Sequence, residues 1–217
     1  AKHKNQIHQL EALLLGQAGL LNGAFNDDYP RLLQREYNFL KKKYSLKPTH
    51  IRVQSLRMRP GNFPAIRLAQ LAMLIQHSAH LFSRILETEN VLEIKKIFEV
   101  TANDYWHYHY TMDELSGFKK KTIGKEMMEN VVINSIVPVL FAYGLHHKEE
   151  KYKTKALNWL EATAAERNAV TKGFSALQLA NKTAYDSQAY IELKTQYCDH
   201  KHCLQCAVGN ALLKSSS

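Results

Sequence analysis

Apolar positions recur at steps of three and four through most of the chain, which is the spacing of helices rather than strands. The clearest segment is residues 122–145, TIGKEMMENVVINSIVPVLFAYGL. Met128, Val131, Val132, Ser135, Ile136, Val139, Leu140 and Tyr143 form one stripe along it, and Met127, Asn130, Asn134, Val137 and Phe141 form a second beside the first. A surface helix needs one apolar face, so two adjoining stripes predict the buried centre of an all-α, bundle-like domain. Pro138 removes a backbone donor and leaves the Asn134 carbonyl without its usual partner, which predicts a kink. Asn130 and Asn134 lie on the face of Pro138, and buried amides at a kink need either an internal polar network or a ligand.

The remaining elements follow in order. Residues 6–21 read as a buried helix with Leu10, Leu13, Leu14, Ala18 and Leu21 inward; Gly16 and Gly19 either admit a close neighbour or weaken the last turn. Asp27 and Asp28 before Tyr29-Pro30 start a second helix, which continues through Leu33, Tyr37 and Leu40 to about Tyr44. The alternation over Ile51–Met58 predicts a short extended segment, and Asn62 is the expected cap of a helix reaching about Leu86 with Pro64 in its first turn. Residues 90–98 form a short helix, 149–166 an amphipathic one and 167–180 a further one or two turns. Asp186 or Ser187 is the expected cap of a last long helix, 188–197, before a short Cys-rich loop. One all-helical domain over residues 1–217 is expected.

Composition narrows the setting. The longest apolar run, Val131 to Tyr143, is interrupted by Asn134 and Pro138, and on its own it is too short and too polar to cross a bilayer. No membrane partner is therefore expected. Three cysteines within nine residues do not make a secreted disulfide framework, which favours a cytoplasmic setting. Twenty-nine Lys and Arg against 20 Asp and Glu give +9, a balance suited to a polyanion such as nucleic acid. Much of the excess sits in Lys41-Lys42-Lys43 and Lys119-Lys120-Lys121, which read either as solvated helix ends or as a binding patch.

Three constellations carry candidate chemistry. Arg57, Arg59 and Arg67 bracket a predicted helix N-terminus, where free N–H groups favour a phosphate or carboxylate; alternatively they tie down to internal acids such as Glu161 or Glu166. Trp106 through Tyr110, WHYHY, can stack nucleobases, but without interleaved Lys or Arg they read first as a core wedge with satisfied polar tips. Cys198, Cys203 and Cys206, with His202 as a fourth ligand, have the composition of a zinc site, whereas free cysteines are also common buried small hydrophobes. The same segment resembles a shortened iron–sulfur loop of helix-hairpin-helix DNA glycosylases, but Leu212 stands where a fourth cysteine belongs, so no cluster and no glycosylase activity are carried over. Zinc is the only cofactor the sequence suggests.

Taken together, LEALLLGQAGLL, LRMRPGNFPAIRLAQLA, YWHYHY, INSIVPVLFAYG and YCDHKHCLQCAVGNALL resemble the C-terminal half of an uncharacterised bacterial family, domain of unknown function 2851. The resemblance implies a longer protein whose N-terminal domain is similar to a PD-(D/E)xK nuclease core, and a chain opening AKHKNQ fits a fragment of it. No catalytic residue transfers to this chain. Three functions follow as expectations: a helical accessory domain helping a nuclease-like partner domain hold nucleic acid, a structural or oligomerising domain, or an enzyme acting on a small anionic metabolite. Surface clustering of the basic residues separates the first from the second, and a convergent pocket holding His109 or Glu161 favours the third.

Overall fold

Wherever an apolar stripe is complete, the chain is helical. The computed structural model describes residues 6–49, 53, 58–78 and 80–215. Its elements are α1 (Ile7–Gln17), α2 (Asp28–Lys43), a 3-10 turn (Pro60–Asn62), α3 (Pro64–His77), α4 (Leu81–Glu87), α5 (Val91–Ile97), α6 (Asp104–His107), α7 (Lys125–Val131), a π-helical turn (Val132–Ile136), α8 (Val137–His147), α9 (Glu150–Glu161), α10 (Ala169–Ala176), α11 (Ala184–Glu192), a second π-helical turn (Leu193–Cys198) and α12 (Ala207–Ser215). Among the described residues there is no strand, only the isolated bridges Thr101–Thr122, His109–Leu115 and Ala164–Thr183. The fold is all-α. The helix expected to run to Leu86 is broken after His77, and His80 there takes a left-handed φ of 53°. The extended segment expected at 51–58 lies largely outside the described residues.

The residues group into two units, Ala1–Phe82 with Lys96–Met128, and Ser83–Lys95 with Glu129–Ser217. In the first, α1 packs on α2 and α3 around Ala12, Leu15, Leu33, Tyr37, Ile66, Ala69 and Trp106. A Cβ at Gly16 would fall inside the Tyr37 ring, so this glycine is what lets α2 close on α1. Gly19, with φ +74°, ends the turn after α1 instead, so the two glycines do different work.

In the second unit α8 packs on α9, where any Cβ at Gly144 would meet the Glu149 carbonyl and the Lys153 backbone at 3.0 Å. Lys155 Nζ donates to the Leu86 carbonyl at 2.9 Å and Trp159 Nε1 to the Glu89 carbonyl at 2.9 Å, so α9 holds the turn at 86–89. Two reciprocal capping boxes start the next helices, Asn168 with Thr171 on α10 and Thr183 with Asp186 on α11. The cap of α11 is thus Thr183, and Asp186 answers it from three residues on.

Residues Lys125–His147 form one continuous helix, 23 residues long. It buries one stripe, not two: Val132, Ile133, Ile136, Val137, Leu140 and Gly144 are inside, whereas Val139, Phe141 and Leu145 stay exposed. The π-helical turn explains the difference. There the Val137 N–H bonds the Val132 carbonyl, a wider loop than an α-turn, and it sits immediately before Pro138, whose missing donor it accommodates. Asn130 and Asn134 lie on the exposed side, where Asn134 Nδ2 donates to the Asn130 carbonyl at 3.2 Å. The expected buried amide network is therefore a local bond on the surface. The bilayer expectation also changes: the whole helix, unlike the 131–143 run, has the length and composition of a membrane span, as core helices also can.

This one-sided burial predicts that Leu140→Ala costs about 2–5 kcal/mol in urea unfolding, while Val139→Ala, one residue away, changes stability by less than about 1 kcal/mol. Equal losses at the two positions would show that the exposed side is also packed.

Candidate functional site

Glu11 stands among apolar residues on α1 and is completely buried. Its carboxylate accepts from the Tyr29 hydroxyl at 2.8 Å, Asn103 Nδ2 at 2.5 Å and Trp106 Nε1 at 3.1 Å, all neutral donors. Burial outweighs these bonds and pushes its pKa up to about 7. Burial and the neighbouring Glu11 likewise hold the Tyr29 phenol well above its usual range. Next to this network, Tyr105 donates its hydroxyl to Asp27 Oδ2 at 2.9 Å and stacks on Tyr29 and on the His109 ring. His109 Nε2 lies 3.3 Å from the same Asp27 oxygen. Asp113, at a left-handed φ of 63°, accepts from the N–H groups of Asn26 and Asp27 at the start of α2. The WHYHY stretch is thus a core wedge in which the tips of Trp106 and His109 are satisfied, while the buried His107 Nε2 has no hydrogen-bond partner among the described residues and Tyr108 is exposed.

Glu11, Asp27 and Asp113 are engaged by amides, phenols, indole, imidazole and backbone N–H groups, and the cations of the first unit have few ion-pair partners among its described residues. Its residues include 17 Lys and Arg against 9 Asp and Glu; the second unit has 12 against 11. Arg31–Asp28 is the one Lys/Arg–carboxylate pair among the described residues of the first unit. The second has Lys95–Glu129, Lys151–Glu149, Lys153–Glu150 and Lys194–Asp199.

The unpaired charge collects at the C-terminal end of α2. Lys42, Lys43 and Lys47 are exposed and Lys41 half-buried, and an open depression of about 620 Å³ there is lined by Asn38, Lys41, Lys42, Ser45 and Leu46. Lys43 Nζ lies 5.5 Å from the ring centres of both Phe39 and Tyr44, which are 56% and 37% exposed. Three lysines more than offset the half charge of a helix C-terminus. A second depression, lined by Gln6, Ile7, His8, Gln9, Leu32 and Glu36, includes neither His109 nor Glu161.

The residues singled out from the sequence separate. Arg57 lies outside the described residues. Arg59 is exposed. Arg67 is half-buried and donates to Asn62 Oδ1 at 2.5 Å and Gln70 Oε1 at 2.9 Å, so it ties down its own helix start through amides rather than through Glu161 or Glu166. Lys119 and Lys120 are exposed, but Lys121 is buried: its Nζ donates to the carbonyls of His107 and Lys119 and sits 3.7 Å over the Tyr110 ring. Desolvation lowers its pKa. Lys121 is an anchor, not a phosphate contact. Cys198 and Cys203 are exposed while Cys206 is buried, and no group of three His, Cys, Asp or Glu side chains among the described residues could hold a metal ion. The π-helical turn ending at Cys198 and the turns up to Cys206 leave Cys198, Cys203, Cys206 and His202 without a common centre.

The family model for a protein of unknown function (DUF2851) matches residues 1–169. The chain belongs to this family. No curated protein and no solved structure matches it. The family's part of the chain contains the whole first unit, with Glu11 and both lysine runs, and ends before the Cys-rich loop.

Sequence reasoning passed over two signals. Glu11 is the only acid in residues 5–26, inside a helix apolar at most positions, which is where a carboxylate must find internal donors. Between Glu36 and Glu87 there are nine Lys and Arg and no acid at all, a run that points to the end of α2 more directly than the lysine triplet alone.

Glu11 binds its proton more tightly in the folded chain than the usual carboxylate does, so its burial penalises folding once it ionises. Stability should be highest below about pH 4.5, fall as pH rises to about 7 and then level off, by on the order of 3 kcal/mol from this group. Comparing urea unfolding of the wild type with Glu11→Gln across that window isolates the contribution; parallel pH profiles would contradict it.

Proposed function

We propose that the chain binds nucleic acid through its phosphate backbone, with Lys41, Lys42, Lys43, Arg59, Lys119 and Lys120 of the first unit as contacts. The observation that carries this reading is the first unit's 17 Lys and Arg against 9 Asp and Glu, with one Lys/Arg–carboxylate pair among its described residues, which leaves a surplus of exposed cations. A polyanion neutralises them and releases its own counter-ions, so binding is indifferent to sequence and steeply dependent on salt. The depression beside Lys41 and Lys42 and the exposed rings of Phe39 and Tyr44 supply a surface on which such a strand can lie. A nuclease-like domain elsewhere in the full-length protein, which the sequence resemblance implies, is the partner this module serves. Lys121 is left out because it is buried, and Arg67 because it is half-buried with its guanidinium tied to Asn62 and Gln70.

The test is the slope of log K against log salt for a mixed-sequence oligonucleotide. Replacing Lys41, Lys42 and Lys43 with alanine should flatten that slope by about two to three units, at roughly 0.7 to 0.9 per phosphate contact. The melting temperature should fall only slightly, through the loss of dipole-compensating charge. No detectable binding at low salt, or an unchanged slope in the triple variant, would contradict the proposal.

A further inference from the structure

Resting on that nucleic-acid reading, the geometry points to a base-stacking platform made by Tyr108 and Phe118, which makes single strands the preferred ligand of the first unit. The two rings lie 5.3 Å apart at a 58° tilt and are 47% and 64% exposed. Large aromatics left on a surface are common singly, but this pair is held there by bonds on both sides. The Tyr108 carbonyl accepts from the Ser116 N–H at 2.6 Å and from its hydroxyl at 2.9 Å. The Lys119 N–H donates to the His107 carbonyl at 2.8 Å, and the His107 ring meets Phe118 edge-on at 5.7 Å. Two residues past Lys119, the buried Lys121 pins the segment to the same carbonyl and to the Tyr110 ring. The rings are therefore presented in advance, and a ligand does not have to order them.

Charge selects the occupant. Lys119 and Lys120 follow Phe118 directly and are exposed, without an ion pair among the described residues. The acids of the same loop are turned to other work: Asp104 faces His107, Asp113 accepts from Asn26 and Asp27, and Glu114 accepts from the Thr111 hydroxyl at 2.5 Å. Aromatic faces beside free lysines match a strand whose bases are unpaired, since bases stack on the rings while phosphates meet the ammonium groups. In a duplex the base faces are already stacked on one another and reach no such platform. An apolar protein partner would use the rings but not the lysines.

The experiment measures affinity of the whole chain for a labelled mixed-sequence oligonucleotide, single-stranded and as its matched duplex, by fluorescence anisotropy at low salt. Single strand should bind more tightly. Tyr108→Ala with Phe118→Ala should weaken single-strand binding by roughly ten-fold or more per ring and leave duplex affinity and the salt slope in place. Tyr108→Phe with Phe118→Tyr should retain the wild-type preference, which separates stacking from damage to the loop. Equal losses for both ligands, or unchanged single-strand affinity in the alanine variant, overturns the platform while leaving backbone binding standing. Absence of binding to either ligand by the wild type overturns both.

Discussion

The buried carboxylate of Glu11 is the constraint around which the first unit is arranged. An acid at that position must be desolvated, and its three donors come from α2's first turn, from the residue capping α6 and from the buried indole of that helix. Holding it requires Tyr29, Asn103 and Trp106 to converge, and that convergence joins segments 18, 92 and 95 residues apart in the chain. The donors are neutral, so the carboxylate neither needs nor consumes a lysine. Asp27 and Asp113 repeat the arrangement nearer the surface, with a phenol, an imidazole and backbone N–H groups in place of cations.

Surface electrostatics differ between the two units. The second unit pairs several of its acids with lysines and has 12 Lys and Arg against 11 Asp and Glu, so its charges largely cancel. The first unit keeps exposed cations on the end of α2 and after Phe118, each beside exposed aromatic rings. Such pairs of exposed surface contribute little to folding, since isolated surface charges and rings bury little area. Their arrangement is explained by a ligand better than by stability.

Much of the fold was legible in the sequence, because amphipathic spacing and Pro or Asp start signals are local. The boundaries of α2 and α5 follow from those signals, whereas the stripe that set Val139 and Leu140 together inward missed that Val139 is exposed. What the sequence did not reveal depends on hydrogen-bond geometry. The π-helical turn at Val132–Ile136 shifts the register of the helix by one residue, and no pattern of residue types announces that shift. The break after His77 is likewise a backbone event. Among the site residues, Lys119, Lys120 and Lys121 look identical in sequence, yet the third is consumed by carbonyls and a ring that only the tertiary fold brings to it.

The most direct measurement is lysine reactivity, by acetylation footprinting and mass spectrometry with and without a single-stranded oligonucleotide. Free chain should modify rapidly at Lys42, Lys43, Lys119 and Lys120 and slowly at the buried Lys121 and Lys155. The oligonucleotide should protect the first four and leave the exposed, ion-paired Lys151 of the second unit unchanged. Protection spread evenly over both units, or none at all, would contradict an account in which neutral donors hold the acids and leave the first unit's cations for a polyanion.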